Sequence, residues 1–504
     1  MSYSVELHLH TCFSFLEGAS LPEELALRAA TLGYEALAIT DHDGLHGAME
    51  FAQACASVGI RPITGVELTL TRGVSQSTHD NGSPVHLTLL VEREQGYANL
   101  CRLITLAHKR TRAWEPIATH LPSEDPRPPA LDPSDLAAHT DGLIALTGCR
   151  NGEIARLIDR ARFDQARHAV EQLEALFGGG NVFIELQHNL VQGDTQRVAR
   201  LAQLAEAANV PIVATGNVHY HVRSRHRLQD AMVAVKHRST LEGSHRLRRP
   251  NSEFFLRPPA EVEDVFALYP QAIDNAVAIG ERCKAFNLAD HRELGYNFPD
   301  FSRRDGEQHS SADEVLAAFC AERFDVRYPP DRTDAQLREK ARRQLQDELQ
   351  LVKKHHLAGF FLIYRDLQQQ ATEVAKRVRG EGTIRGGSGL PPGRGRGSSV
   401  SSIICYLIGL SHVDPVKNRL FFRRFLNEDL QAVPDIDLDF ARDIREQLIL
   451  QVYRHYGHEH AALVCSFATY HLRSAVRDLG KVLGLPAPAI DKLARLSEGG
   501  MASS

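Results

Sequence analysis

Short apolar runs alternate with longer stretches of helical periodicity over the first 220 residues. Seven runs read as strands: 5–10, 36–43, 62–68, 86–91, 142–149, 182–187 and 211–219. Between them, apolar positions recur at three- and four-residue spacing over 21–32, 45–57, 96–108, 165–177 and 194–208. That spacing is the mark of a helix with one buried stripe. Ser20 and Glu23, with Pro22 between them, predict a capping box at the start of the first helix. Repeated strand–helix units predict a parallel sheet, and seven of them suggest a closed (β/α) barrel within an α/β protein.

From about residue 260 the pattern changes. Residues 332–380 read as helical around an apolar segment, LAGFFLIY, at 357–364. Residues 380–397 then hold eight glycines and two prolines, too many for a helix or regular strand. A helix pattern resumes near Ser398 and runs to about Leu410. A different alternation follows at 434–440, PDIDLDF, where Asp435, Asp437 and Asp439 interleave with Ile436, Leu438 and Phe440. On a strand the three carboxylates share one face at spacings of roughly 6–7 Å. Like charges so arranged repel unless cations lie between them.

Composition narrows the class. An apolar content of 43% and a charged content of 24% are those of an ordinary globular protein. A net charge of −5 argues against a protein that coats nucleic acid or membrane over its whole surface. Basic character is local, with eight Lys/Arg against two acids from Arg223 to Arg249 and six against one from Lys376 to Arg396. Such runs are usually solvated surface. The eight cysteines include no Cys-x-x-Cys pair, so neither a disulfide framework nor a zinc ribbon is expected. With no basic–apolar leader and no 18-residue apolar run, the expectation is a cytoplasmic chain without a membrane partner.

Chemistry-bearing side chains collect near the strand ends. His8 and His10 belong to the first strand, with Glu17 in the loop beyond it. His42 follows the second strand, Glu67 closes the third, Cys149 follows the fifth, and Asn217 and His219 follow the seventh. His86 is the exception, because it opens the fourth. A lone histidine is more often an ordinary hydrogen-bonded residue, but His-x-His on a strand puts both rings on one face. Side chains at the C-terminal ends of barrel strands converge on one mouth. Mixed imidazole, carboxylate and thiolate donors suit Zn²⁺, Mn²⁺ or Fe²⁺ better than Mg²⁺. Glu185 and His188, near the sixth strand, have no such support and stay outside the candidate set. In the second half, GRGSS at 395–399 precedes the helix pattern. Its glycines, Arg396, Ser398 and Ser399, with a helix N-terminus, would favour a phosphate.

The motifs HLHT, TDHDG, GVE, TGC and GNVHY, in that order, resemble the PHP (polymerase and histidinol phosphatase) domain. The resemblance implies a seven-stranded barrel holding up to three metal ions for phosphoester hydrolysis by activated water. The implied ligands are His8, His10, Glu17, His42, Glu67, His86, Cys149, Asn217 and His219. Glu17 stands where an aspartate is common. Asn217 replaces an aspartate of the fully active pattern, and its neutral oxygen implies weaker hold on one ion. Further on, GRGSSVSSIICYLIGLSHVDPV, LFFRRFLN and PDIDLDF resemble the palm of bacterial C-family DNA polymerases of the alpha-subunit type. ATGNVHYH, LRRPNSEFFLR and VPDIDLDFARDIREQLI look most like the error-prone, translesion branch. GGSGLPPGRGRGSS is longer than the family's loop.

This resemblance implies a PHP barrel over 1–260, a first palm segment over 261–465 and the start of a thumb over 466–504. Asp435 and Asp437 would hold two Mg²⁺ as the catalytic pair, with Asp439 in support. Arg396, Gly397, Ser398 and Arg424 would grip the nucleotide triphosphate. The implied partners are primer–template DNA, dNTPs and a further polypeptide carrying the rest of the palm and the fingers. The family's third catalytic aspartate and its phosphate-binding lysine have no counterpart in the chain, so it is not expected to extend a primer alone. Two other readings stay open. One is a PHP metallophosphoesterase, such as a 3′–5′ exonuclease, with a DNA-binding palm remnant. The other is a non-catalytic binding module.

Overall fold

A computed structural model describes residues 3–75, 84–109, 128–290, 298, 301, 311–380, 392–430, 433–457, 460–462, 464 and 466–497. The chain divides into two compact units, Met1–Arg292 with Ala468–Ser504, and Glu293–Phe467.

The first unit is built on a nearly closed seven-stranded barrel. Its strands are β1 (Val5–Glu6), β2 (Ala36–Ile39), β3 (Arg61–Leu70), β4 (Val85–Val91), β5 (Leu143–Leu146), β6 (Val182–Gln187) and β7 (Ile212–Thr215). They lie in sequence order. A parallel bridge, Leu9 to Val218, joins the two ends. Around that seam His10 N donates to Val218 O at 2.8 Å and Val218 N to His8 O at 2.9 Å. The strands are buried along nearly their whole length, as expected where helices cover the outside and side chains fill the inside. The helices Pro22–Leu32, Ala48–Ser57, Glu94–Lys109, Phe163–Phe177 and Asp194–Ala208 fall where the periodicity put them.

One strand corrects the expectation of an all-parallel sheet. β4 pairs antiparallel with both β3, through Thr69–His86 and Gly65–Leu90, and β5, through Thr88–Leu146. The other neighbours are parallel. The predicted capping box also shifts by one residue. Leu21 is the N-cap, and its N–H donates to Glu24 Oε2 at 3.0 Å. Ser20 is drawn away because its hydroxyl accepts from His221 N at 2.9 Å and lies 2.7 Å from His221 Nδ1.

The first unit takes in residues 261–292, which the sequence pattern gave to the second domain. The helix Pro270–Arg282 packs on β7 and β1, with Asn275 donating to Ile212 O at 2.8 Å. The helices Leu472–Val482 and Ala487–Leu496 also belong here. Val482 packs with Ala231 and Ala234 and accepts from Leu241 N at 3.0 Å.

The second unit gathers the helices Ala312–Arg327, Ala335–Lys354, Ala358–Arg379 and Arg442–Tyr456. Its main core includes Phe324, Tyr328, Phe361, Ile404 and Phe425. A two-stranded ribbon pairs β8 (Arg394–Gly395) antiparallel with β9 (Leu438–Asp439). The expected helix from Ser398 to Leu410 is shorter and broken. A 3₁₀ turn covers Gly397–Ser401, Ser402 is extended, and the α-helix spans only Ile403–Leu407. Ser402 accounts for the break, since its Oγ caps Cys405 N at 3.1 Å and donates to Glu348 Oε2 at 2.6 Å. Among the described residues no helix is long and apolar enough to cross a membrane.

Candidate metal centre

Six of the nine expected barrel ligands converge. His8 and His10 stand beside Glu67, His10 beside His42 and His219, and His42 beside Glu67 and His86, with each set of donor atoms close enough to share an ion. The reversal of β4 accounts for His86. Running against its neighbours, β4 has its first residues at the barrel end where β3 carries Glu67, so opening that strand is equivalent to closing another.

Hydrogen bonds on the outer nitrogens fix how the rings present themselves. His8 Nδ1 donates to Glu185 Oε1 at 2.7 Å. Ser14 spends its hydroxyl proton on Asp41 Oδ1 at 2.6 Å, so its oxygen accepts from His10 Nδ1 at 3.2 Å. His219 Nδ1 donates to the carbonyl of Asn217 at 2.9 Å. All three rings therefore turn Nε2 inward, and His8 Nε2 and His10 Nε2 lie 3.2 Å apart. Around Glu67 stand four ring nitrogens: those of His8 at 3.6 Å, His10 at 3.5 Å, His42 at 3.3 Å and His86 at 3.3 Å. These separations exceed good hydrogen-bond lengths, and Glu67 Oε1 is buried without a hydrogen-bond partner.

The electrostatics follow the packing. Burial and the neighbouring His219 and His42 push His10 well below the usual histidine range. Burial, then the Arg249 guanidinium, does the same to His219. Burial also pushes His8 down, but the Glu185 and Glu67 carboxylates outweigh it and leave its pKa well raised. Because Nδ1 is committed to Glu185, any cation His8 shares with the cluster sits at Nε2. Burial raises Glu67, and the imidazoles of His86, His42 and His8 reverse that and hold it well below the carboxylate range. A buried carboxylate ringed by imidazole nitrogens is a site for cations.

The other three expected ligands sit at the margin. Cys149 Sγ lies 3.4 Å from His86 Nδ1. Asn217 adopts a left-handed conformation, φ 48°, which asparagine tolerates better than most residues. Its Nδ2 donates to Gln187 Oε1 at 3.1 Å, and its Oδ1 is buried without a partner. Glu17 bonds His42 Nε2 at 3.0 Å and also pairs with Lys236. Its loop is held close because Gly18 lies against the Thr11 carbonyl, where a Cβ would come within 1.9 Å.

Arg249 and Lys236 in this centre were not singled out from the sequence, and Glu185, which the sequence reading left outside the candidate set, belongs to it as well. Glu185 is buried on β6 and takes hydrogen bonds from His8, Gln187 Nε2 at 2.8 Å and Thr215 Oγ, while its Oε2 has no partner. The signal was an acid inside the apolar run VFIELQ. Arg249 reaches His219 Nε2, and Lys236 reaches Glu17. Both lie in the basic run that composition assigned to surface.

In the second unit the aspartate row alternates as expected: Asp435, Asp437 and Asp439 are exposed and Ile436 is buried. Arg396, Gly397, Ser398 and Arg424 are exposed as well. Residues 381–391 of the glycine-rich segment lie outside the described residues; its end is tied to the aspartate row, with Arg396 N donating to Asp437 O at 3.0 Å and the Arg396 guanidinium pairing with Asp439 at 2.8 Å. The N-terminus of helix Ile403–Leu407, expected to attract a phosphate, already has an anion. The buried Glu348 carboxylate accepts from Ile403 N at 2.9 Å and Ile404 N at 3.3 Å.

The barrel and its histidine–glutamate mouth define the PHP class, and residues 6–189 match the PHP domain family. Residues 314–503 match the family described as "Bacterial DNA polymerase III alpha NTPase domain". Over nearly its whole length the chain is thus similar to the N-terminal part of bacterial proteins described as error-prone DNA polymerase and as DNA polymerase III subunit alpha. It is 36% identical over 497 residues to the "Error-prone DNA polymerase" of Symbiobacterium thermophilum, covering 97% of this chain and 42% of the relative. To the protein of the same description from Mycobacterium tuberculosis it is 35% identical, covering 95% and 40%. To the "DNA polymerase III subunit alpha" of Bacillus subtilis it is 30% identical, covering 98% and 40%. The chain therefore spans about two fifths of the length of these relatives.

Proposed function

We propose that the chain supplies the PHP barrel and first palm segment of an error-prone DNA polymerase that copies damaged templates in DNA replication and repair. In this reading the barrel is a metal-dependent phosphoesterase acting on the 3′ end of DNA. The second unit contributes Asp435 and Asp437 to nucleotidyl transfer. The observation that carries the reading is the convergence of the His8 and His10 Nε2 atoms on the buried Glu67 carboxylate, one oxygen of which has no hydrogen-bond partner. The donor set fits Zn²⁺ or Mn²⁺ in the barrel, and bare carboxylates fit Mg²⁺ in the palm. When bound, such ions supply Lewis acidity toward a phosphoryl oxygen and activate water.

The chain's own residues do the positioning. Glu185, Ser14 and the Asn217 carbonyl hold three rings with Nε2 inward. In the palm, Arg396 exchanges Asp439 for a triphosphate oxygen, and Arg424 adds a second cation. Primer–template DNA and dNTPs are the partners, in the cytoplasm. The error-prone assignment is supported by the higher identity to relatives of that description, 36% and 35% against 30%.

Single-stranded DNA with a label at the 5′ end, incubated with the chain and Mn²⁺ or Zn²⁺, tests the barrel. The expected result is shortening from the 3′ end, lost when His8→Ala and His10→Ala are combined and kept in Asp437→Ala. Shortening that survives the double histidine change, or none with any divalent ion, refutes the phosphoesterase. In primer extension the 504 residues alone are expected to incorporate nothing. Incorporation abolished by Asp437→Ala would overturn that expectation.

A further inference from the structure

We propose that Arg249 is the resident cation at one corner of the barrel cluster, standing where His10, His42 and His219 would otherwise share a metal ion. This rests on the metal-centre reading and narrows it to two ions held by the remaining groups.

The corner differs from the rest of the cluster in three respects. First, its inward nitrogen already has a partner. The Asn217 carbonyl takes the His219 Nδ1 proton, so Nε2 carries the lone pair, and the Arg249 guanidinium donates to that lone pair. A nitrogen cannot give one lone pair both to an N–H and to a metal ion. Second, the guanidinium is held there. It lies 4.5 Å over the Phe254 ring, a cation–π contact, and its Nε is shielded from solvent without a hydrogen-bond partner. The neighbouring Arg248 points elsewhere, to Asp230 at 2.7 Å, so the placement belongs to Arg249 and not to the basic run as a whole. Third, the anions a third ion would need are missing or already neutralised. Asn217 brings an amide in place of a carboxylate, and Glu17 is paired with Lys236.

A monovalent guanidinium that cannot leave its chain thus replaces a dication whose carboxylate ligand is absent. The two other groupings, His8–His10–Glu67 and His42–Glu67–His86, keep their carboxylate, and among the described residues no Lys or Arg forms an ion pair with Glu67. The neutral amide of Asn217 and the inward turn of Arg249 then act together at this corner. Metal content is set by a side chain that is not itself a ligand.

The experiment counts ions. The chain is equilibrated with Mn²⁺ or Zn²⁺, freed of excess, and its metal content measured by inductively coupled plasma mass spectrometry beside native mass spectrometry. Arg249→Gln, which is shorter, polar and uncharged and removes the guanidinium from over Phe254, is expected to gain about one ion per chain. Arg249→Lys, which keeps a charge, is expected to stay at the wild-type count. His219→Ala is expected to leave the wild-type count unchanged and to abolish the gain when combined with Arg249→Gln. A wild-type chain that loses an ion on His219→Ala overturns the assignment without any Arg249 variant having to fold. An unchanged count in a folded Arg249→Gln chain overturns it too. A wild-type chain with no bound ion at all overturns the metal centre itself, a distinct failure.

Discussion

Replacing Glu185 with glutamine tests how the cluster is oriented. The Glu185 carboxylate is buried, and one of its oxygens takes hydrogen bonds from His8 Nδ1, Gln187 Nε2 and Thr215 Oγ. Glutamine has the same shape, so His8 can still donate to an amide oxygen. What is lost is the negative charge 2.7 Å from the ring, which makes the opposite nitrogen a stronger donor and holds the ring in place. The other amide position falls on Glu185 Oε2, which has no partner. Glu185 also lines a cavity of about 20 Å³ shared with Cys149, Gln187 and Asn217. Partners of metal-bound histidines are worth roughly 10- to 100-fold in affinity, or about 1.4–2.7 kcal/mol. Competition with a chromophoric chelator should therefore show Zn²⁺ or Mn²⁺ affinity falling by that factor, with the melting curve little moved. Unaltered affinity in a folded Glu185→Gln chain would refute the claim that His8 is a ligand oriented by Glu185.

Three further outcomes follow from the same structure. Cys149→Ser, which removes the soft donor beside His86, should weaken Zn²⁺ more than Mn²⁺ in the same competition; equal loss for both ions would place the thiol outside the cluster. Phe361→Ala, fully buried in the core of the second unit, should cost about 3–5 kcal/mol in urea unfolding followed by a probe in that unit, and a cost below about 1 kcal/mol contradicts the packing. Glu348 is raised above its ordinary value of 4.5, first by burial. A folded pKa above the unfolded one means that wild-type stability falls as pH climbs from about 4.5 through the raised value. Glu348→Gln lacks that slope while losing an acceptor for the helix N-terminus. It should therefore be more damaging near pH 4.5 than near pH 7, and a deficit that grows with pH reverses the sign of the argument.

Much of the barrel could be read from the chain because the signal is local. Period two and period three to four separate strand from helix without knowledge of partners, and all seven strands and the intervening helices fall within a few residues of their expected places. Strand direction is not a local property. Nothing in PVHLTLLV states that β4 runs backwards, yet the odd position of His86 was the trace of it. The site was legible where ligands follow strand ends. It was opaque where a contact joins distant segments, as with Glu185 and His8, 177 residues apart, or Arg249 and His219. Arg249 was hidden by its context, since a basic run looks like surface until one member turns inward. The glycine-rich segment misled for a similar reason: the anion at the helix N-terminus comes from Glu348, more than fifty residues earlier.

The central claim is that the barrel mouth of the first unit holds divalent ions on its inward nitrogens and Glu67. Anomalous diffraction from crystals of the chain grown with Zn²⁺, recorded on either side of the zinc edge, addresses it most directly. Peaks are expected about 2.0–2.2 Å from the Nε2 atoms of His8 and His10 and from Glu67 oxygens, absent when His8 and His10 are both alanine. Zinc found only elsewhere on the chain, or an empty mouth at saturating Zn²⁺, would contradict it.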